Sequence, residues 1–180
     1  YNGGYDGYLI KINNSGARVW STYLGGENND CSNGIATDSA GNVYVTGESD
    51  GPNTRRDYAT VKYDSRGVQQ WVARYNAPDN LPDRAEALEV DQFGNVYVTG
   101  SAFHTSSGVD ANITTIKYNA EGKEQWVVRG PGTFYLDRVC LTADGLGNLY
   151  VAATCRRSSR DIVTVKYSSS GSPIWTAWYS

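Results

Sequence analysis

The chain has no methionine, a single histidine, and no apolar run approaching the ~18 residues that a membrane-spanning helix requires. No signal-peptide pattern opens it. It begins at Tyr1, so the expectation is a processed or internal piece of a longer polypeptide. Charged residues make up only 19% and the formal net charge is −3. A nucleic-acid binder would show a basic patch or stripe, so that class is excluded. Cysteine is scarce: Cys31, Cys140 and Cys155, an odd number without close pairs. That pattern gives neither a disulfide framework nor a metal site, and buried or semi-buried thiols are expected. Cys140 and Cys155 fall in neighbouring strands about three residues out of step, too far for a comfortable bridge.

The residues of a catalytic site are equally sparse. A nucleophile with its base, paired carboxylates or a metal cluster would be needed. His104 stands beside "HTSS" in a loop, and a triad cannot be read from it. No D-x-D-x-D-G calcium loop occurs, and no set of cofactor ligands is evident. The expectation is no catalytic residue, no metal and no cofactor. Sequons stand at Asn13 and Asn112, which matter only in a source that glycosylates.

What is present points to strands and turns. Gly (20) and Tyr (14) are abundant, with many Val and Thr and no long run of helix formers. A chain of 180 residues can bury about 70% of its unfolded surface. "GNVYVTG" occurs at 41–47 and 94–100, and "GNLYVAA" at 147–153, each 53 residues after the last. Around the middle copy, four short strands can be marked. They are "AEALEVD" (85–91), "NVYVTG" (95–100), "NITTIKY" (112–118) and "KEQWVVR" (123–129), here positions a to d. Position c recurs as "DGYLIKI", "DYATVKY", "NITTIKY" and "DIVTVKY". Each c–d turn ends in Gly, and Trp20, Trp71, Trp126 or Trp175 follows four residues later. Asp38, Asp91 and Asp144 each precede a turn glycine by three residues, which is turn chemistry: Asp accepts from the turn's backbone and Gly supplies positive φ.

A four-stranded antiparallel sheet whose alternating faces are both apolar needs cover on both sides. Stacked copies supply it, and a period of ~40–50 residues with four strands reads as a β-propeller blade. The fold class is all-β, with the four Trp as blade-docking residues. A half blade spans 1–24, and blades span roughly 25–75, 76–129 and 130–180. Lys11, Lys62, Lys117 and Lys166 recur at one strand position, with packed stems and ammonium groups reaching the rim or an acidic partner. A closed propeller has four to eight blades. Three and a half therefore leave open edges, to be covered by remaining blades of the same chain or by other copies.

The pattern "D-x-x-G-N-V-Y-V-T-G … D-Y-x-T-V-K-Y-D-x-x-G-x-x-x-W" resembles the bacterial SBBP-type β-propeller repeat. That resemblance covers nearly the whole chain. It implies a secreted or cell-surface protein, extracellular or in the periplasm, and no shared catalytic motif. Asp64 to Trp71 and Asn119 to Trp126 are also similar to the tryptophan-docking pattern of quinoprotein-type propellers. Only the docking role carries over, because no adjacent-cysteine pair is present.

Loop length is uneven. The a–b and c–d turns are short and share one face. The b–c loops (48–56, 101–111, 154–160) and d–a links are long and dissimilar, and strand alternation puts them together on the other face. Variable loops on a rigid scaffold are the usual place for binding. That face offers Arg55, Arg56, Arg84, Arg138, Arg156, Arg157 and Arg160, with Phe103, Phe134 and Tyr135 among them. Arg and aromatics are favoured anchors, and Arg suits carboxylate or sulfate. Against this, the same arginines can be solvated residues paired with Asp50, Asp57, Asp79 and Asp83. The reading is a non-catalytic secreted or cell-surface module for protein or glycan binding or structural assembly. Its alternative is the propeller portion of a larger carbohydrate-active or quinoprotein-type enzyme, with catalytic residues elsewhere.

Overall fold

The computed structural model describes residues 5–25, 29–51, 55–104, 111–130, 135–156 and 160–180. Among them there is no helix, and fourteen strands follow one another. They are β1 (Gly7–Ile12), β2 (Arg18–Leu24), β3 (Asp30–Thr37), β4 (Val43–Asp50), β5 (Arg56–Tyr63), β6 (Gln69–Tyr75), β7 (Asp83–Val90), β8 (Val96–Phe103), β9 (Ala111–Tyr118), β10 (Glu124–Arg129), β11 (Tyr135–Ala143), β12 (Leu149–Arg156), β13 (Arg160–Tyr167) and β14 (Pro173–Tyr179). Sheet order is chain order: β1-β2, then β3 to β6, β7 to β10 and β11 to β14. Every pairing is antiparallel. The sheets are blades of a partial β-propeller. We call the four-stranded ones blades 1 to 3, preceded by the half blade.

Two turn chemistries make each meander. In the a–b turn, Asp38 Oδ1 accepts from the N–H of Ala40 (3.0 Å) and of Asn42 (2.9 Å). Its Oδ2 takes the Asn42 side chain at 2.7 Å and the Tyr44 hydroxyl at 3.0 Å. Asp91 and Asp144 repeat the arrangement with Asn95, Tyr97, Asn148 and Tyr150. The Asn148 side chain, ahead of an opposing effect of burial, holds the Asp144 carboxyl below the ordinary range. In the c–d turns Asn13, Asp64 and Asn119 accept through Oδ1 from the N–H groups two and four residues on. Sequence reading found the aspartates, but not the Asn and Tyr that complete each knot.

Blades pack face on face. Tyr44, Tyr58 and Ala73 of blade 1 meet Ala85, Val96, Val98, Ile116 and Tyr118 of blade 2 in one core. Tyr97 and Ile113 of blade 2 meet Val139, Leu149, Val151, Val163 and Val165 of blade 3 in the next. Leu9 and Leu24 of the half blade meet Val43, Val45 and Tyr63 of blade 1 in a smaller one. The innermost strands are also tied side chain to backbone. Asn33 donates to the Ala85 carbonyl at 2.9 Å. The Val139 and Ala143 N–H groups donate to Glu86 and Glu89 at 2.9 and 3.0 Å.

Each junction repeats one device. Lys and Trp stand opposite each other across the c–d hairpin: Lys11 and Trp20, Lys62 and Trp71, Lys117 and Trp126. Both donate to one carbonyl in the c–d turn of the next blade. Trp20 Nε1 and Lys11 Nζ reach Ser65 O at 3.1 and 3.0 Å. Trp71 and Lys62 reach Ala120 O at 3.0 and 3.3 Å. Trp126 and Lys117 reach Ser169 O at 3.2 and 3.3 Å. The indole lies against the turn glycine, so closely that a Cβ on Gly67, Gly122 or Gly171 would meet it at 2.8, 2.6 or 2.9 Å. The ammonium of Lys62 or Lys117 lies over the ring of Tyr44 or Tyr97, 5.1 or 5.2 Å from its centroid. The recurring lysine therefore ends on a carbonyl and a ring, where the rim or an acidic partner was expected.

The cysteines depart from expectation in part. All three are unbridged, and Cys140 lies opposite Ala152, three positions from Cys155. Cys155 is buried, but Cys31 and Cys140 are exposed, because they line two open cavities instead of a core.

Candidate binding face

The b–c and d–a connections are shorter than the sequence implied, because strand pairing continues through polar residues. Arg56 opens β5, Arg84 lies in β7, Phe103 ends β8, Tyr135 opens β11, Arg138 lies in β11, Arg156 ends β12 and Arg160 opens β13. Only Arg55 of the described candidates sits in a connection. Phe134 and Arg157 lie outside the described residues. Ladder hydrogen bonds need only backbone, so charged ends extend a strand wherever their side chains face water or each other. Asp50 and Arg56 are such a pair, directly opposite in register.

The candidate arginines that lie in strands divide into two groups. Arg56 is engaged by Glu48 at 3.3 Å and Asp50 at 3.9 Å. Arg156 and Arg160 converge on Asp137 at 3.4 and 3.2 Å, and Arg156 lies over the Tyr135 ring, 5.6 Å from its centroid. These are solvated ion pairs worth little in stability. Of the remaining carboxylates, Asp57 faces Arg74 at 3.6 Å, Asp79 holds His104 at 2.6 Å, and Asp83 accepts from the Ala77 N–H at 2.6 Å. Arg84 and Arg138 belong to the other group. Both are exposed, and neither has an ion pair or hydrogen-bond partner among the described residues.

Arg84 and Arg138 share a cavity of about 860 Å³ with Asn33, Glu86, Asp137 and Val139. It opens where the innermost strands of blades 2 and 3 begin. A second cavity, about 450 Å³, lies against blade 1 beside the half blade. Leu24, Val45, Val61, Val72 and Arg74 line it. In the half blade Gly7 occupies the strand position that Tyr58 holds in blade 1, so the ring that would fill this space is missing. It is a packing gap with an apolar floor.

The repeat inferred from the turns and strands has a counterpart among known families. Residues 19–53 match the family model for the SBBP beta-propeller repeat. That unit starts inside β2 and ends beyond β4, so it contains strand d of one blade and strands a and b of the next. An uncharacterized WD repeat-containing protein of Acanthamoeba polyphaga mimivirus is 32% identical over 111 residues, 52% of this chain and 8% of that protein. A crystal structure of a protein of unknown function from Bacteroides caccae aligns with a TM-score of 0.57 at 13% identity, over 98% of this chain and 59% of the other. One from Dyadobacter fermentans aligns with a TM-score of 0.57 at 11% identity, over 82% and 49%. At such identities the two solved chains share the fold alone. The chain thus spans a small fraction of the curated relative and about half of those solved chains.

Proposed function

We propose that the chain is a non-catalytic propeller module of the extracellular space or cell surface. It binds a carboxylate- or sulfate-bearing protein or glycan on the face formed by the b–c and d–a connections. The observation that supports this most is the pair Arg84 and Arg138. Two exposed guanidiniums without internal counter-ions point into one cavity on rigid neighbouring strands. A planar fork of donors matches an oxyanion in two-pronged fashion, and strands hold it more firmly than loops would. The other described arginines of this face that lie in strands already have carboxylate partners, which leaves these two for a ligand.

The test is binding to an array of sulfated, carboxylated and neutral glycans, with acidic and neutral peptides alongside. Acidic probes should be retained and neutral ones not. Arg84→Ala with Arg138→Ala should weaken retention by at least roughly tenfold, the scale of one lost charged hydrogen bond or more. Unchanged retention in the double variant, or none by the wild type, would overturn the reading.

A further inference from the structure

The Lys–Trp device occurs three times complete and once in halves. At the outer face of blade 3, Lys166 and Trp175 stand opposite each other across β13 and β14, as in every other blade. Lys166 lies over the Tyr150 ring, 4.9 Å from its centroid, like its counterparts. Trp175 is 42% exposed, and its Nε1 has no acceptor among the described residues. Every residue of β14 is exposed. The donor half of a junction is therefore assembled, with Lys166 held by the Tyr150 side chain and the Trp175 N–H unspent among the described residues.

The acceptor half is at the other end of the molecule. The c–d turn of the half blade, Asn13–Gly16, is built like the three turns that are occupied. Gly16 has φ +79°, matching Gly67 (+85°), Gly122 (+79°) and Gly171 (+83°). Asn13 closes it through the same Oδ1 contacts. Asn14 O is the carbonyl equivalent to Ser65 O, Ala120 O and Ser169 O, and no donor reaches it among the described residues. A Cβ on Gly16 would meet nothing within 4 Å, whereas the other three turn glycines are each covered by an indole.

We propose that these two halves join between copies. Trp175 and Lys166 of one chain clamp the Asn14 carbonyl and the Gly16 platform of a second, giving head-to-tail self-association. The occupant is identified by three worked examples in the same molecule: a tight turn with a free carbonyl two residues before a glycine of positive φ. No other described c–d turn offers that pair unoccupied. The surfaces beside the clamp agree with it. Ile162 is 46% exposed and Tyr179 76% on the donor side, and Val19 is 55% and Ile12 61% on the acceptor side. A head-to-tail contact of this kind uses different patches on the two copies, so it propagates or closes into a ring. It is independent of the arginine face, which lies at the strand ends and not on the blade faces.

The experiment is sedimentation velocity over a wide concentration range on three proteins: wild type, Trp175→Ala and Gly16→Asn. Asn tolerates positive φ, so Gly16→Asn keeps its turn while its Cβ blocks the indole. Circular dichroism confirms that all three are folded alike. Wild type should form species heavier than the monomer as concentration rises, and each variant alone should lose them. The two variants mixed should recover a one-to-one dimer and nothing larger, because each supplies the half the other lacks. Monomeric wild type, undiminished assembly of either variant, or a mixture that stays monomeric would overturn the proposal.

Discussion

Trp71 and Trp175 have the same neighbours within their own sheets and opposite fates outside them. Trp71 sits between Tyr44 and Tyr118, with ring centroids 6.1 and 6.4 Å away, and its N–H is spent on Ala120. Trp175 keeps only the equivalent of the first contact, Tyr150 at 6.2 Å. The same contrast runs through the sheets. In blades 1 and 2, Thr46 bonds Thr60 and Thr99 bonds Thr115, each at 2.9 Å in a buried cross-strand pair. At the equivalent place on the bare face of blade 3 Ala152 faces Thr164, and no such bond forms. Local sequence makes a blade, while burial comes from the neighbour. Stability should therefore be lost at junctions and hardly at all at the open end. Trp71→Ala is expected to cost about 3 kcal/mol, the low end for a large buried aromatic, and Trp175→Ala about 0.5 kcal/mol. Urea denaturation at concentrations too low for self-association measures both. Equal losses would mean that the two sites are not different environments.

A carboxylate sharpens the comparison between junctions. Strand a opens on Asp30 in blade 1 and Asp83 in blade 2, and Leu136, the second residue of β11, holds the equivalent place in blade 3. Asp83 is fully buried where blades 1 and 2 meet. Desolvation first, and then the nearby Asp57 carboxylate, push its pKa up to about 6, against the Ala77 N–H bond that lowers it. An unfolded Asp titrates near pH 3.9. The folded state therefore holds its proton longer than the unfolded state does. Its contribution is complete below about pH 4 and is lost as pH rises through about 6, a difference of about 3 kcal/mol. Asp83→Asn removes the charge and keeps an acceptor for Ala77. Thermal melts should show no gain for the variant near pH 4 and a gain of about 3 kcal/mol near pH 7.5. A variant equally displaced at both pH values would mean that Asp83 matters by shape and not by charge.

Much of this was legible before any coordinates. The four-strand period, the turn glycines and the docking tryptophans were all readable because each is local: a turn residue acts within four positions, and a Trp four beyond a Gly stays at one place in every copy. The lysine's destination was not readable, because its acceptor is a backbone carbonyl more than fifty residues away and carries no side-chain signal. The Asn33 and Glu86 ties between innermost strands were missed for the same reason. On the candidate face the reading placed the arginines at the right end of the strands but in loops, since polar letters were taken to end a strand. It also could not sort them. Asp137, which occupies Arg156 and Arg160, had not been singled out as a partner, and Arg84 and Arg138 differ from the other strand arginines of this face only in lacking one.

The finest comparison uses two glycines with one backbone geometry. Gly16 and Gly122 both have φ +79° in c–d turns of the same form. Replacing either by Ala puts a Cβ on left-handed backbone, and that strain, about 1 kcal/mol, is common to both. The surroundings are not common. The new Cβ at Gly122 falls 2.6 Å from the Trp71 ring, while at Gly16 it meets open space. Trp71 cannot simply retreat, because its N–H is fixed on Ala120 and Tyr44 and Tyr118 flank its ring. Gly122→Ala should therefore cost about 1 kcal/mol more than Gly16→Ala, the lower range for an overpacked contact. The excess should shrink when Trp71 is already Ala, since the object of the clash is gone. A double-mutant cycle by urea denaturation reads that coupling directly. If Gly122→Ala costs no more than Gly16→Ala, the glycine is kept for its turn alone, and the indole platform plays no part in joining blades 1 and 2.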